Sequence, residues 1–176
     1  MDSEVQDILF MADHMVIRLG KYLRILGYDA AWDSQVRTHA LIARANAENR
    51  VFLTCNTHIT GQYPHPEKVF VLRETEPVKQ FQIVVEEFRL DPRKRLFSKC
   101  ICCNVFLEKV SDREKIRAFV HPNVYARFKV FFTCPRCGTV FWKGTHVANT
   151  CRKLGIVMMS AHGSECSVFE YPNPNS

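Results

Sequence analysis

The sequence predicts an α/β protein in two parts: a parallel sheet with helices on its faces, then a small module pinned by cysteines. Three observations carry this. Short apolar runs alternate with amphipathic helical stretches through residues 1 to 90, the order that builds parallel sheets from strand, helix and strand. The polar stretch Asp91-Pro92-Arg93-Lys94-Arg95 then breaks the pattern. Beyond it stand two Cys-x-x-Cys turns separated by 30 residues.

The first strand is Ile8-Leu9-Phe10-Met11-Ala12, a continuous apolar run ending at Asp13, as a strand buried on both faces requires. A helix follows, with Val16, Leu19, Leu23 and Leu26 on its apolar face and Gly27 where it stops; Arg18, Lys21 and Arg24 form another face, expected to be solvated. Ala30-Ala31-Trp32 reads as a second strand, Val36 to Asn49 as an Ala-rich helix, Val51 to Cys55 as a third strand and Lys68 to Arg73 as a fourth. Pro77 opens a helix expected to bury Val78, Phe81, Val85 and Phe88. These elements make a first domain of residues 1 to 92. Residues 93 to 170 form the second, with strands at Lys129 to Thr133 and Thr139 to Trp142 beside the cysteine pairs. The polar end, 171 to 176, is expected to be mobile.

Composition excludes several classes. No apolar run approaches the roughly 20 residues of a membrane span, and the first residues have neither the basic flank nor the apolar core of a signal peptide. Eight cysteines could form a disulfide scaffold, but such scaffolds are short and loop-rich, whereas long helix and strand patterns here point to a reducing compartment, cytoplasmic or nuclear. The charge is uneven. Residues 1 to 90 carry 10 Lys and Arg against 12 Asp and Glu, and residues 91 to 176 carry 14 against 6. A basic surface on a small module suits a polyanion, and equally a solubilising role.

Zinc favours four tetrahedral thiolate or imidazole ligands, and two Cys-x-x-Cys turns aim two sulfurs each at one point. Cys100, Cys103, Cys134 and Cys137 are the expected ligands of a zinc ribbon, with Gly138 allowing the tight turn after the second pair. Cys102 could replace Cys100 or Cys103, and His121, His146 or Cys151 could enter the shell. A closed four-cysteine site leaves no position for water, so this metal is expected to hold the fold.

Ligand sites of parallel sheets lie at the carboxyl ends of the strands. Asp13 stands at such an end, with Asp29 and Asp33 further along. Hydrolytic cleavage of RNA with magnesium or manganese needs several carboxylates converging there. The third strand instead ends in Thr54-Cys55-Asn56, an amide where a charge is wanted. Asp13 alone makes no such site and reads more simply as a cap on the helix it precedes.

Asp13-His14-Met15 through Leu23-Arg24, Leu26-Gly27-Tyr28-Asp29, Glu48-Asn49-Arg50-Val51-Phe52-Leu53-Thr54, Cys103-Asn104 and Phe141-Trp142-Lys143-Gly144-Thr145-His146 together resemble the mutator-seven C-terminal RNase domain family. The resemblance covers roughly residues 8 to 155. It implies a PIN-like sheet joined to a zinc ribbon, similar in animals to the C-terminal part of a 3′–5′ exoribonuclease of small-RNA silencing, so that the chain reads as a fragment of a longer protein. That family carries Asp where Asn56 stands and an acidic residue opening the second helix, where Ser34-Gln35-Val36-Arg37-Thr38 has none. Asp13 and Asp29 are the residual catalytic candidates.

The expected function is therefore an RNA-binding and protein-docking accessory domain with a degenerate nuclease centre. The alternatives are an active endoribonuclease using magnesium or manganese, and a partner-binding module without RNA contact. Single-stranded RNA would be held by Arg93, Lys94, Arg95, Lys99, Arg127, Lys129, Arg136 and Lys143, in the junction or beside the cysteine turns. Phe132, Phe141 and Trp142 could stack on bases but, as strand aromatics of a small domain, read first as its core. His14, His58 and Glu48 read as surface residues.

Overall fold

The computed structural model describes residues 8–61 and 64–156. The expected mobile tail lies outside them. The chain divides after Phe97 into two compact units, not at 92/93. The junction stretch stays with the first unit because Leu96 is buried and the Phe97 amide donates to the Ile25 carbonyl at 2.6 Å.

In the first unit, β1 (Leu9–Ala12), β2 (Asp29–Ala31), β3 (Val51–Thr54) and β4 (Val69–Val71) form one parallel sheet in the order β2-β1-β3-β4. The connections run through α1 (Ile17–Ile25) and α2 (Thr38–Ala47), and α3 (Pro77–Glu87) follows β4. The chain goes from β1 outward to β2, then crosses back over β1 to β3. The crevice between the carboxyl ends of β1 and β3 is thus the switch point where such sheets bind ligands.

Alternation along the strands sorts the core into two layers. Met11, Ala31 and Phe52 face the α2 side and pack with Leu41, Ile42, Ala45 and Ile59. On the other side Phe10 and Phe70 meet the Phe88 ring edge-on at 5.3 and 5.4 Å, and Tyr22 of α1 meets Phe81 of α3 at 6.0 Å. Pro77 opens α3 as expected, with Glu76 accepting from the Lys79 amide at 2.9 Å. The buried stripe is rotated from the expected one: Gln80, Phe81 and Val84 are buried, while Val78, Val85 and Phe88 are half-buried. Gln80 is drawn inward because its amide donates to the Glu74 carbonyl at 2.8 Å.

The basic face expected on α1 is split. Arg18 and Lys21 are exposed, but Arg24 is buried. Its Nε donates to the Ala30 carbonyl at 2.6 Å, and its guanidinium lies 3.4 Å from the centre of the Trp32 ring. Gly20, one turn earlier, admits that ring: a Cβ there would stand 3.0 Å from a Trp32 carbon and 3.2 Å from the Ala12 Cβ. Helix α2 also begins later than expected, at Thr38, and ends at Ala47, where Asn49 adopts φ 54° and the Arg50 amide returns to the Ala45 carbonyl at 2.8 Å.

In the second unit, β5 (Glu108–Lys109), β6 (Phe131–Thr133) and β7 (Val140–Trp142) form an antiparallel sheet in that order. A 3-10 helix at Arg113–Phe119 and α4 (Pro122–Arg127) lie between β5 and β6, and α5 (Thr145–Leu154) follows β7. Ile116, Val120 and Phe131 make one core cluster, with Val110, Tyr125, Phe128 and Trp142 packed against it, and Phe132, Val147, Leu154 and Ile156 are buried as well. No helix among the described residues is long and apolar enough to cross a membrane.

Candidate metal centre and the carboxyl edge of the sheet

Two short turns of the second unit repeat one geometry. In the first, the Cys100 amide donates to the Val105 carbonyl at 2.8 Å and the Asn104 amide to the Cys100 carbonyl at 2.9 Å. In the second, the Cys134 amide donates to the Thr139 carbonyl at 3.0 Å and the Gly138 amide to the Cys134 carbonyl at 2.9 Å. Each turn needs a left-handed residue just after its second cysteine, supplied by Asn104 at φ 62° and Gly138 at φ 71°. Asn is the side chain that tolerates this region best after Gly, so Asn104 has a structural role that its polarity alone does not reveal.

The turns bring Cys100, Cys103, Cys134 and Cys137 together, all four sulfurs within 4.8 Å of one another. A tetrahedral zinc with bonds of about 2.3 Å requires sulfurs about 3.8 Å apart. Cys100 and Cys137 stand at 3.8 Å. The donor set and its spacing fit a four-coordinate structural zinc. The Cys103 amide points at the Cys100 sulfur at 3.4 Å, and the Thr139 hydroxyl lies 3.2 Å from the Cys137 sulfur, where it favours the thiolate a metal needs. Burial pushes the Cys100 thiol up to about 12. The other candidates are elsewhere engaged. Cys102 is exposed, Cys151 is buried in α5, the His121 ring accepts from the Asn123 amide at 3.3 Å, and His146 meets the Trp142 ring edge-on at 5.7 Å. Trp142 packs against the small core, as its place in a strand implied.

At the sheet's carboxyl edge Asp13 is buried at the switch point. One carboxylate oxygen accepts from the His14 amide at 2.8 Å, capping the 3-10 turn His14–Val16. The other accepts from the Thr54 hydroxyl at 2.7 Å. That hydroxyl in turn accepts from the Asn56 amide at 3.0 Å, and the Asn56 side-chain oxygen accepts from the His58 amide at 2.9 Å. Asp13 is thereby tied to the ends of both central strands, and Thr54 is the partner that sequence reasoning missed. Burial, then the Asp13 charge, pushes the Cys55 thiol up, against an opposing hydrogen bond from Gln80.

Asp29, the second catalytic candidate, is in the wrong place. It pairs with Leu9 at the amino end of the sheet, opposite Asp13, and accepts from Arg50 at 2.5 Å. Arg50 also donates to the Phe10 carbonyl at 3.2 Å and to Glu48, which Arg44 reaches at 2.5 Å. Glu48 is thus an ion-pair partner rather than a free surface residue. Asp33 lies two residues beyond the end of β2, past the carboxyl end of that strand. The Asp33 carboxylate accepts from the Gln35 amide at 2.8 Å. Among the described residues, the four cysteines are the one group of three or more His, Cys, Asp or Glu close enough to share an ion.

The ion pairs at the amino edge set an acid response. Burial works against the Glu48 charge, but hydrogen bonds from Arg44 and Arg50 and the charges of both outweigh it and hold the carboxyl below the ordinary glutamate value. A carboxyl lowered in the folded state stabilises above its unfolded value, and loses that contribution as pH falls through the folded one. Arg50→Met is therefore expected to destabilise the first unit by about 2 kcal/mol at neutral pH, less than a fully buried pair because Asp29 and Glu48 keep some exposure. The gap should shrink below about pH 4. Urea unfolding of both proteins across that range measures it; a gap independent of pH would reduce Arg50 to a packing role.

The RNA candidates scatter across both units. Arg93 and Lys94 are exposed and Arg95 half-buried, all in the first unit; Arg127, Lys129 and Arg136 are exposed and Lys143 half-buried in the second. Lys99 is corrected: it is buried, its ammonium donating to the Asn104 carbonyl at 3.1 Å and lying 4.4 Å from the centre of the Phe106 ring. It braces the first cysteine turn.

A family model described as the Mut7-C RNAse domain matches residues 8–154. The chain belongs to that family and is a nuclease-related, RNA-associated domain. No curated protein and no solved structure matches it significantly.

Proposed function

We propose that this Mut7-C RNAse domain is an RNA-binding and protein-docking accessory domain of an exoribonuclease acting in RNA silencing, in the cytoplasm or nucleus, with a degenerate nuclease centre and a structural zinc. The observation that carries the reading is the state of the switch point. There Asp13 is bound by the Thr54 hydroxyl and a backbone amide, Asn56 supplies an amide in place of a third-strand carboxylate, and Asp29 lies at the far end of the sheet. Magnesium or manganese would find one bound carboxylate on the central strands where hydrolysis needs several converging. The family match and the excess of 14 Lys and Arg over 6 Asp and Glu in residues 91 to 176 support binding to RNA without cutting it.

Zinc-loaded chain titrated with single-stranded RNA is expected to bind tightly only at low salt, with little sequence preference and a log–log slope of about −0.7 per phosphate. Reversing Arg93, Lys94 and Arg95 to Glu should weaken binding and flatten that slope more than reversing Arg18 and Lys21. Added manganese should produce no cleavage. Cleavage abolished by Asp13→Asn would establish the active endoribonuclease instead, and no binding at low salt would leave a partner-binding module.

A further inference from the structure

The second unit carries a groove of about 740 Å³ that neither its core nor its metal centre explains. It runs between β5, the 3-10 helix Arg113–Phe119 and the second cysteine turn, and that volume is within the range of pockets for small ligands. On its wall stands Phe119, the most exposed large apolar side chain among the described residues at 77%. An aromatic ring left in water at the end of a short helix has no part in the core formed by Ile116, Val120 and Phe131. Lys115, four residues before it in the same 3-10 helix, and Lys109 of β5 line the same groove, and both are exposed. Two acids, Glu108 and Asp112, line the groove as well, Asp112 also accepting from the Glu114 amide at 3.1 Å, so contact with phosphate depends on the two ammonium groups themselves rather than on a net positive wall.

We propose that this groove is a nucleotide subsite for single-stranded RNA, in which a base stacks on Phe119 and the flanking phosphates meet Lys109 and Lys115. The proposal rests on the RNA-binding reading above and names the place where that binding is more than diffuse charge. A flat π-face beside cations is the pairing that single-strand binders use, because every base offers a face to stack and every link a phosphate to neutralise. Stacking discriminates little between bases, because every base has a face to offer. The zinc site has an indirect part, since Cys137, Gly138 and Thr139 form one wall and the metal holds that wall in place.

The test uses the whole zinc-loaded 176-residue chain and two labelled probes, an oligouridylate and the same-length ribose-phosphate chain lacking bases. Phe119→Ala should weaken oligouridylate binding by about tenfold while leaving the salt slope unchanged. Phe119→Trp should retain wild-type affinity or exceed it. On the abasic probe all three proteins should bind alike. Changing Lys109 and Lys115 to Gln should flatten the slope by about 1.4, two phosphates' worth. Because Phe119 is exposed, zinc content and thermal midpoint of the variants should match wild type, which separates a binding defect from a folding one. Oligouridylate affinity unchanged in Phe119→Ala would overturn the subsite and assign the groove to a polypeptide ligand, with the RNA-binding reading intact. Failure of the wild type to bind either probe would remove both.

Discussion

Cys134→Ser is expected to unfold residues 98–156 while residues 8–97 stay ordered, and removal of the metal by a chelator should do the same to the wild type. Zinc held by such turns contributes about 10–16 kcal/mol at neutral pH. That is comparable to the roughly 5–15 kcal/mol by which whole domains are stable. The second unit has little else to fall back on: one cluster of three buried side chains has a rim of half-buried ones, α5 adds Val147, Cys151 and Leu154, and the first strand of the three-stranded sheet is two residues long. The first unit has two helical layers over its own parallel sheet. Hydrogen exchange resolved by peptide should therefore show protection lost in residues 98–156 alone, and elemental analysis of untreated protein should give one zinc per chain. Less than about half a zinc per chain in fully folded protein would remove the metal from the fold's energetics.

Most of the first unit was legible because its signals are local and redundant. β1, β3 and β4 fall within short apolar runs, β2 lies one residue before the expected Ala30-Ala31-Trp32, Gly27 marks the end of the first helical stretch, and Pro77 opens α3. Boundaries moved where tertiary contacts act on weakly marked residues: α2 retreats to Thr38, and Asn49 turns the chain by adopting a conformation most side chains avoid. In the second unit the metal ligands were legible and much of the rest was not. The helix α5 buries Val147, Cys151 and Leu154, a spacing of four and three that was present in the sequence but overshadowed by the cysteine pattern. The 3-10 helix has no comparable periodic signature, so Phe119 gave no sign that it would remain in water. The acidic site was half legible. Spacing placed Asp13 at a strand end, but only the strand register shows that Asp29 belongs to the opposite edge and that Thr54 is the partner of Asp13.

Arg24 is where periodic reading failed most, and its substitution carries the second large effect. It shares a spacing with Arg18 and Lys21, yet α1 lies so close to the sheet at Gly20 that the next residue on that side, Arg24, must be buried too. The guanidinium tolerates this because it is planar. It lies over the Trp32 ring and directs Nε to the Ala30 carbonyl at the point where β2 runs toward the loop. Arg24→Ala would leave that carbonyl without its donor and open a cavity beneath the indole. A lost hydrogen bond from a charged donor, an unsatisfied buried acceptor and a lost stacked group together are expected to cost about 3–4 kcal/mol. Arg24→Lys should recover little of this, since an ammonium can neither stack as a plane nor keep the same donor direction. Arg24→Met fills the cavity but supplies no donor, so it should fall between wild type and Ala. Denaturant unfolding of the four proteins, with Trp32 fluorescence reporting the local environment, orders them. Lys matching wild type would show that charge alone holds the site, and Ala matching wild type would return Arg24 to the solvated face that its spacing suggested.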